Sequence, residues 1–333
     1  KCFARCIRTE ELQVGEWNMG KLLEVENLQV SFKIHAGEVQ AVKKVSFDVE
    51  KGETVAIVGE SGCGKSVTSK TIMGLLPLEQ SQIKEGSRIL FDGKDLLKFT
   101  KEERQNFCGK DCAMIFQDAL TALNPTLTVG KQVTENLKNH TSLNKAERHK
   151  KAVEILKKVG IADAEACMEK YPLELSGGMR QRVMIASAII CEPKLLIADE
   201  PTTALDVTIQ AQVLKLMKEV QASMDMAILL ITHDLGVVAQ MADRIVVMYA
   251  GEVVETGSPE DIYYHSRHPY TKALLQSVPK IGNREEKLVS IEGSLPSTLN
   301  PPKGCVFADR CAKCMNICQK EHPEIQKIGD GHK

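Results

Sequence analysis

The segment Gly59-Glu60-Ser61-Gly62-Cys63-Gly64-Lys65-Ser66 constrains this chain more than any other part of it. It fits the pattern G-x4-G-K-[ST], follows the apolar run Val55–Val58 and precedes Val67–Leu76, which reads as a helix. A strand, a glycine loop and a helix in that order need a sheet to carry the strand. They also form a loop whose backbone N–H groups can curl around phosphate oxygens at a helix N-terminus. Gly59, Ser61, Gly62, Cys63, Gly64, Lys65, Ser66 and Val67 are therefore the expected phosphate-binding residues. Lys65 supplies charge for the β- and γ-phosphates, and the Ser66 hydroxyl can ligate Mg²⁺. Only the backbone is needed at Cys63, whose thiol is expected to be open to alkylation.

Three further apolar runs end in a chemically useful residue: Ala113–Phe116 before Gln117, Leu195–Ala198 before Asp199, and Ile228–Ile231 before Thr232-His233. Continuous apolar strands of this kind belong inside a parallel sheet covered on both faces, and ligands bind beyond the carboxyl ends of such strands. Asp199 is the expected carboxylate for Mg²⁺, and Glu200 beside it can polarise an attacking water. His233 is placed to contact a γ-phosphate. An acidic pair after a strand often merely caps a helix, but the Gly59 loop tips the reading toward chemistry. Before the loop, Val25, Leu28, Val30 and Phe32, then Val45, Phe47 and Val49, alternate as half-exposed strands joined by a turn. Leu127–Leu175 turns helical and charged, and a second amphipathic helix follows Asp206.

Composition removes whole classes of function. With 43 Lys and Arg against 44 Asp and Glu, the chain lacks the basic excess of a nucleic-acid-coating protein. An apolar fraction of 43% excludes wholesale disorder. The most apolar runs, such as Met226–Ile231, are strand-sized, so no bilayer crossing is expected. Eleven scattered cysteines, without a secretory leader, point to a reducing cytoplasm rather than a disulfide framework. Residues 1–21 read as an extension, with Met19 as the natural start. After about residue 262 the composition shifts. Residues 263–333 hold eleven Lys and Arg against seven Asp and Glu and are expected to form a second, smaller domain.

Leu175-Ser176-Gly177-Gly178-Met179-Arg180-Gln181 completes an ordered set with Gly59–Ser66, Gln117, Asp199–Glu200, Ala204-Leu205-Asp206 and His233. In that order the chain resembles the ATP-binding-cassette ATPases, whose signature is LSGG-x-x-Q. The resemblance implies an α/β fold: a parallel-sheet core, an antiparallel β subdomain and a helical subdomain at about 118–175, together spanning 22–262. It implies that two cassettes pair head to tail around ATP, so that Ser176, Gly177, Gly178 and Gln181 serve the partner's nucleotide, with Asp206 nearby. Gln117 then senses Mg²⁺ and the attacking water, and Phe32 stacks on adenine. Glu200, His233, Gln117 and Lys65 would carry the hydrolysis, and their joint presence speaks against a degenerate cassette.

The match extends to Phe116–Pro125, Leu196–Gln212, Met248–Gly257, His268–Leu275 and the tail from Gly304, which resemble the ATPase subunits of dipeptide and oligopeptide importers. This implies a peripheral protein on the cytoplasmic membrane face, docked near Gln117–Val133 on two transmembrane permease subunits. A second, different cassette and an extracellular peptide-binding protein would complete the system, with no nucleic acid involved. Nickel importers share the architecture and are the alternative. Non-transport cassette ATPases fit poorly, because the 109 residues between Ser66 and Ser176 leave no room for a long coiled coil.

Cys305, Cys311, Cys314 and Cys318 are spaced C-x5-C-x2-C-x3-C. Four such thiolates can surround Zn²⁺ or hold an iron–sulfur cluster. Related tails carry cysteines matching 305, 311 and 318, and some hold a [4Fe–4S] cluster, which is the favoured reading. Cys314 is not a regular part of that pattern.

Overall fold

Alternating apolar residues from Leu23 onward need a partner strand, and the hairpin β1 (Lys21–Ile34) and β2 (Gly37–Glu50) provides it. The computed structural model describes residues 20–333 apart from Leu78, Ala204, 279–289 and Asp330. The expected extension therefore lies almost wholly outside the described residues, and Lys21 already belongs to β1. Leu23, Val25, Leu28, Val30, Val42, Val45 and Val49 turn inward and are fully buried. After β3 (Thr54–Val58), three short strands extend this first sheet: β4 (Ser81–Ile83), β5 (Arg88–Phe91) and β6 (Lys94–Asp95). Its order is β2-β1-β5-β6, with β4 also on β1, and its pairings are antiparallel.

The second sheet contains β3, β7 (Cys112–Ile115), β8 (Leu195–Asp199), β9 (Ala227–Ile231), β10 (Arg244–Tyr249) and β11 (Glu252–Gly257), in the order β11-β10-β3-β9-β8-β7. All of its pairs are parallel except β10–β11. Every residue of β3, β7, β8 and β9 is buried, which is why these strands read as continuous apolar runs. Their side chains still alternate between two cores. Val55, Ile57, Met114, Ile197 and Leu229 face the antiparallel sheet, while Ala56, Val58, Ala113, Leu196 and Leu230 face helices. β10 is a fifth parallel strand absent from the sequence reading, because no polar residue directly ends its apolar run Ile245–Tyr249.

Between Asp118 and Leu175 every described element is helical, the longest being Lys145–Lys158. Asn144 and Glu147 close a reciprocal capping box at its start, an arrangement worth about 1 kcal/mol. Ala152, Val153, Ile155 and Leu156 form its buried face, at the spacing of one helical stripe. The chain then runs through Gly177–Ile189, Val207–Met224, Leu235–Met241, Pro259–His265 and Pro269–Gln276. Beyond them the tail has two 3₁₀ turns, Ala308–Arg310 and Asn316–Gln319. It shares the core of the parallel sheet: Tyr270, Val306 and Phe307 are buried in the same apolar cluster as Tyr249 of β10. Among the described residues no helix is long and apolar enough to cross a membrane.

Candidate active site

The β3 strand delivers its chain directly into the glycine loop, and two of those glycines are required sterically. Gly59 has φ +151° and Gly64 +100°; a Cβ would stand 2.1 Å from the Met248 carbonyl oxygen at the first and 2.6 Å from that of Ala41 at the second. Gly64 is also the N-cap of the helix Lys65–Met73, and no side chain caps that end. Its first backbone N–H groups thus stay available to an anion. Lys65 is 5% exposed, and its ammonium donates to the carbonyls of Gly59 at 2.7 Å and Glu60 at 3.0 Å. Val67 is half-buried against the antiparallel-sheet core, so its side chain packs while its backbone belongs to the helix start.

Cys63 corrects the sequence reading. Its side chain is fully buried rather than open, and burial pushes the thiol's pKa up despite Lys65 Nζ at 3.8 Å. Ser61 and Gly62 are the exposed side of the loop.

Three parallel strands converge their carboxyl ends next to this loop. Ser66 Oγ donates to Asp199 Oδ1 at 3.1 Å, joining the loop helix to the end of β8. Burial raises the Asp199 pKa, and the neighbouring Glu200 adds to it; the Ser66 hydrogen bond and the charges of Lys70 and Lys65 offset this only in part. A buried carboxylate beside a hydroxyl, short of positive charge, fits a hard divalent cation such as Mg²⁺.

Glu200 follows with φ +49°, a left-handed backbone that a glutamate adopts only at a cost of about 1–3 kcal/mol. Its N–H donates to the Ile231 carbonyl at 2.8 Å, which anchors the turn to β9. The carboxylate is held from three sides. Gln117 Nε2 and Thr203 Oγ1 each donate to Oε2 at 2.9 Å, and His233 Nδ1 lies 3.0 Å from Oε1. Burial pushes the Glu200 pKa up, but the hydrogen bonds from His233 and Thr203, together with the nearby charges of His233 and Lys65, outweigh it and leave the group below its ordinary value. His233 itself is 56% exposed by side chain. Thr203 was absent from the sequence reading; its only signal was a hydroxyl three residues after Glu200.

The other expected residues lie elsewhere. Phe32 lies two residues before the end of β1, half-buried and paired with Val39 and Ser81. Ser176 caps the helix Gly177–Ile189 by accepting from Met179 N at 3.3 Å, and Ser176 and Gly177 are exposed. Among the described residues no hydrogen bond joins Ser176–Gly178 to the Gly59–Ser66 loop. Gln181 is 3% exposed and donates to the Pro201 carbonyl at 2.5 Å; it faces inward, tying the signature helix to the residue after Glu200 rather than reaching solvent. Asp206 caps the helix Val207–Met224 by accepting from Ile209 N at 2.9 Å. Ala204 lies outside the described residues.

The tail cysteines do not form the centre that their spacing suggests. Among the described residues no three His, Cys, Asp or Glu side chains stand together so as to hold a metal ion. Cys305 and Cys311 pack against the apolar core, whereas Cys314 is exposed with its thiol toward the Met315 carbonyl. A short link, Cys305 N to the Cys318 carbonyl at 2.7 Å, ties the two ends of this segment together, and burial, with the neighbouring Cys318 and Cys311 thiols adding to it, pushes the Cys305 thiol up. As arranged, they present no ready ligand set, so the structure lends no support to the [4Fe–4S] cluster or to the Zn²⁺ alternative.

Family models match two parts of the chain: "ABC transporter" over residues 42–203, and "Oligopeptide/dipeptide transporter, C-terminal region" over 254–318. The dipeptide transport ATP-binding protein DppD of Bacillus subtilis is 54% identical over 94% of this chain and 93% of its own length. The oligopeptide transport ATP-binding protein OppD of the same organism is 54% identical over 94% of this chain and 87% of its own. DppD of Escherichia coli is 48% identical, over 93% and 94%. Among solved structures, cbiO1 of Clostridium perfringens covers 73% of this chain and 91% of its own with a TM-score of 0.62 at 30% identity. A dimeric post-hydrolysis state of the ATP-binding cassette MJ0796, bound to ADP and Pi, covers 71% and 98% with a TM-score of 0.64 at 28% identity.

Proposed function

Because the chain belongs to the ABC transporter family, as an ATP-binding subunit of its dipeptide and oligopeptide branch, we propose that it hydrolyses ATP to drive short-peptide uptake through membrane permease subunits. The observation that carries the hydrolytic part is the Glu200 carboxylate, oriented by Gln117, Thr203 and His233 at the mouth of the phosphate loop.

In this mechanism the loop N–H groups and Lys65 bind the phosphates, the lysine leaving its two carbonyl partners to do so. Ser66 and Asp199 would hold Mg²⁺, which supplies charge neutralisation for phosphoryl transfer when bound. Glu200 accepts a proton from water at its carboxylate, and its left-handed backbone aims that carboxylate out of the strand end. His233 and Gln117 keep it from rotating away. Phe32 stacks on the adenine base. Ser176 and Gly177, exposed at a helix start, with the half-buried Gly178 behind them, suit contact with nucleotide on a second cassette. Closure of that pair, relayed through the helical region, would switch the access of the permease. The relay surface is a groove of about 330 Å³ lined by Leu75, Phe116, Leu123, Gln132 and Met184. Leu75 and Phe116, 48% and 39% exposed, line this groove, and Leu120, four residues after Phe116, is 46% exposed, which suits docking of a permease helix on the cytoplasmic face. The second cassette is read as a different chain, and peptide selectivity as the work of an extracellular binding protein.

The test is uptake of labelled dipeptides and pentapeptides, with Ni²⁺ alongside, in cells carrying the native chain or Glu200→Gln. Loss of peptide uptake alone supports the proposal. Loss of Ni²⁺ uptake alone moves the protein to a nickel system, and loss of neither removes the assigned cargo.

A further inference from the structure

Glu60, the second residue of the phosphate loop, is gripped by the tail. Arg310 Nη1 donates to Glu60 Oε2 at 2.8 Å and Nη2 to Oε1 at 3.1 Å, a bidentate pair across 250 residues of sequence. The same guanidinium donates from Nε to the Glu292 carbonyl at 2.9 Å, from Nη2 to that of Ile291 at 3.0 Å, and from Nη1 to the Tyr249 hydroxyl at 3.2 Å. Every N–H of Arg310 is thereby used, and its side chain is 6% exposed. The Glu60 backbone is held as well: its N–H donates at 2.9 Å to the hydroxyl of Tyr270, which is fully buried. Its carbonyl in turn accepts from Lys65 Nζ. One loop residue therefore has its carboxylate on Arg310, its N–H on Tyr270 and its carbonyl on the lysine that the loop offers to phosphate.

We infer that Arg310 is a positioning residue for nucleotide binding: it neutralises the Glu60 carboxylate and turns it toward the tail, leaving the positive field of the loop to the phosphates. Without that partner, a carboxylate tethered five residues before Lys65 competes for the ammonium and repels the incoming phosphate charge. The tail then acts on ATP affinity without touching ATP. This inference rests on the reading of Gly59–Ser66 as the nucleotide site, and the experiment separates the two.

The experiment is calorimetric titration of the full chain with ATP and Mg²⁺, with each variant's fold checked by circular-dichroism melting. Lys65→Ala tests the site: it should abolish binding, and binding equal to the parent's overturns the site reading and this inference with it. Arg310→Met should raise Kd about tenfold, the effect of stripping a close partner from a charge. Glu60→Gln combined with Arg310→Met should return Kd to within about threefold of the parent, because the misplaced charge is gone. A purely structural role for Arg310 would not be rescued, since its contacts to Ile291, Glu292 and Tyr249 stay lost in the double variant. An unrescued double variant, or an Arg310→Met chain that binds ATP like the parent while Lys65→Ala fails, overturns the inference alone. If Arg310→Met does not fold, Arg310→Lys with and without Glu60→Gln carries the same comparison. There a smaller weakening, removed by Glu60→Gln, is expected, and a weakening that persists overturns the inference.

Discussion

Gln117 Nε2 donates to Glu200 Oε2 at 2.9 Å, so two residues 83 positions apart meet at the ends of β7 and β8, which are neighbours in the sheet. The parallel register makes this meeting automatic: Ile115 pairs with Ala198, and both chains leave the sheet on the same side. Replacing Glu200 with Gln keeps the side chain's shape and an oxygen to accept from Gln117 and Thr203, but removes the proton acceptor. ATP binding should persist while turnover falls about 10²–10⁴-fold, measured by single-turnover hydrolysis. Rapid turnover by this variant would remove the role assigned to Glu200.

Thr203→Val deletes one donor to the Glu200 carboxylate at nearly constant volume. Hydrolysis should fall about tenfold with little change in the KM for ATP. Glu200 must be ionised to accept a proton, and its hydrogen bonds depress its pKa, so activity extends further into acid than for an ordinary carboxylate. Removing Thr203 raises that pKa and should move the acid limb of the pH–rate profile upward. An unmoved limb would mean that the hydroxyl does not act on the carboxylate.

Asp199→Asn should separate stability from function. Folding raises the Asp199 pKa, so its contribution to stability is complete below the ordinary carboxylate value and is lost as pH rises through the raised one. Near neutral pH the ionised group is thus a burden on the nucleotide-free chain. The amide variant should melt higher by about 1 kcal/mol equivalent there, show no advantage in acid, and fail to hydrolyse ATP. Lower stability near neutral pH would contradict the sign of the shift.

Gly177→Ala offers a different separation. A Cβ at this exposed position meets nothing within 4 Å in the chain itself, and alanine favours a helix over glycine by about 1 kcal/mol. Melting should therefore be unchanged or raised. If Gly177 faces nucleotide across a pair of cassettes, ATPase activity should nevertheless drop strongly. Full activity would place the signature away from the reaction.

Thiol labelling reports on the loop and the tail together. With a maleimide on the native chain, Cys314 should react first among the described cysteines and Cys63 only on unfolding, because Cys314 is exposed and Cys63 is buried. Peptide mass mapping of a time course reads this directly. Early modification of Cys63 would contradict its placement beneath the loop.

Local sequence determined the elements of this protein and most of its chemistry. A glycine pattern at fixed spacing, apolar runs that end in Gln, Asp and His, and the alternation in β1 and β2 are all short-range signals. Each follows from backbone sterics or from the two-residue period of a strand. That is why the phosphate loop, Asp199, Glu200, Gln117 and His233 could be named before any fold was known. Tertiary structure decided what the side chains do with their neighbours. It buried Cys63, turned Gln181 inward onto Pro201 and used Asp206 as a helix cap. It also packed Cys305 and Cys311 on the core while leaving Cys314 exposed. The Glu60–Arg310 pair has no local signal at all, because the two residues meet only once the tail folds back over β10 and buries Tyr270 and Phe307 against Tyr249. Spacing along the chain reports which atoms are offered. Only packing, which must exclude water and satisfy each buried donor, selects the partner that each one takes.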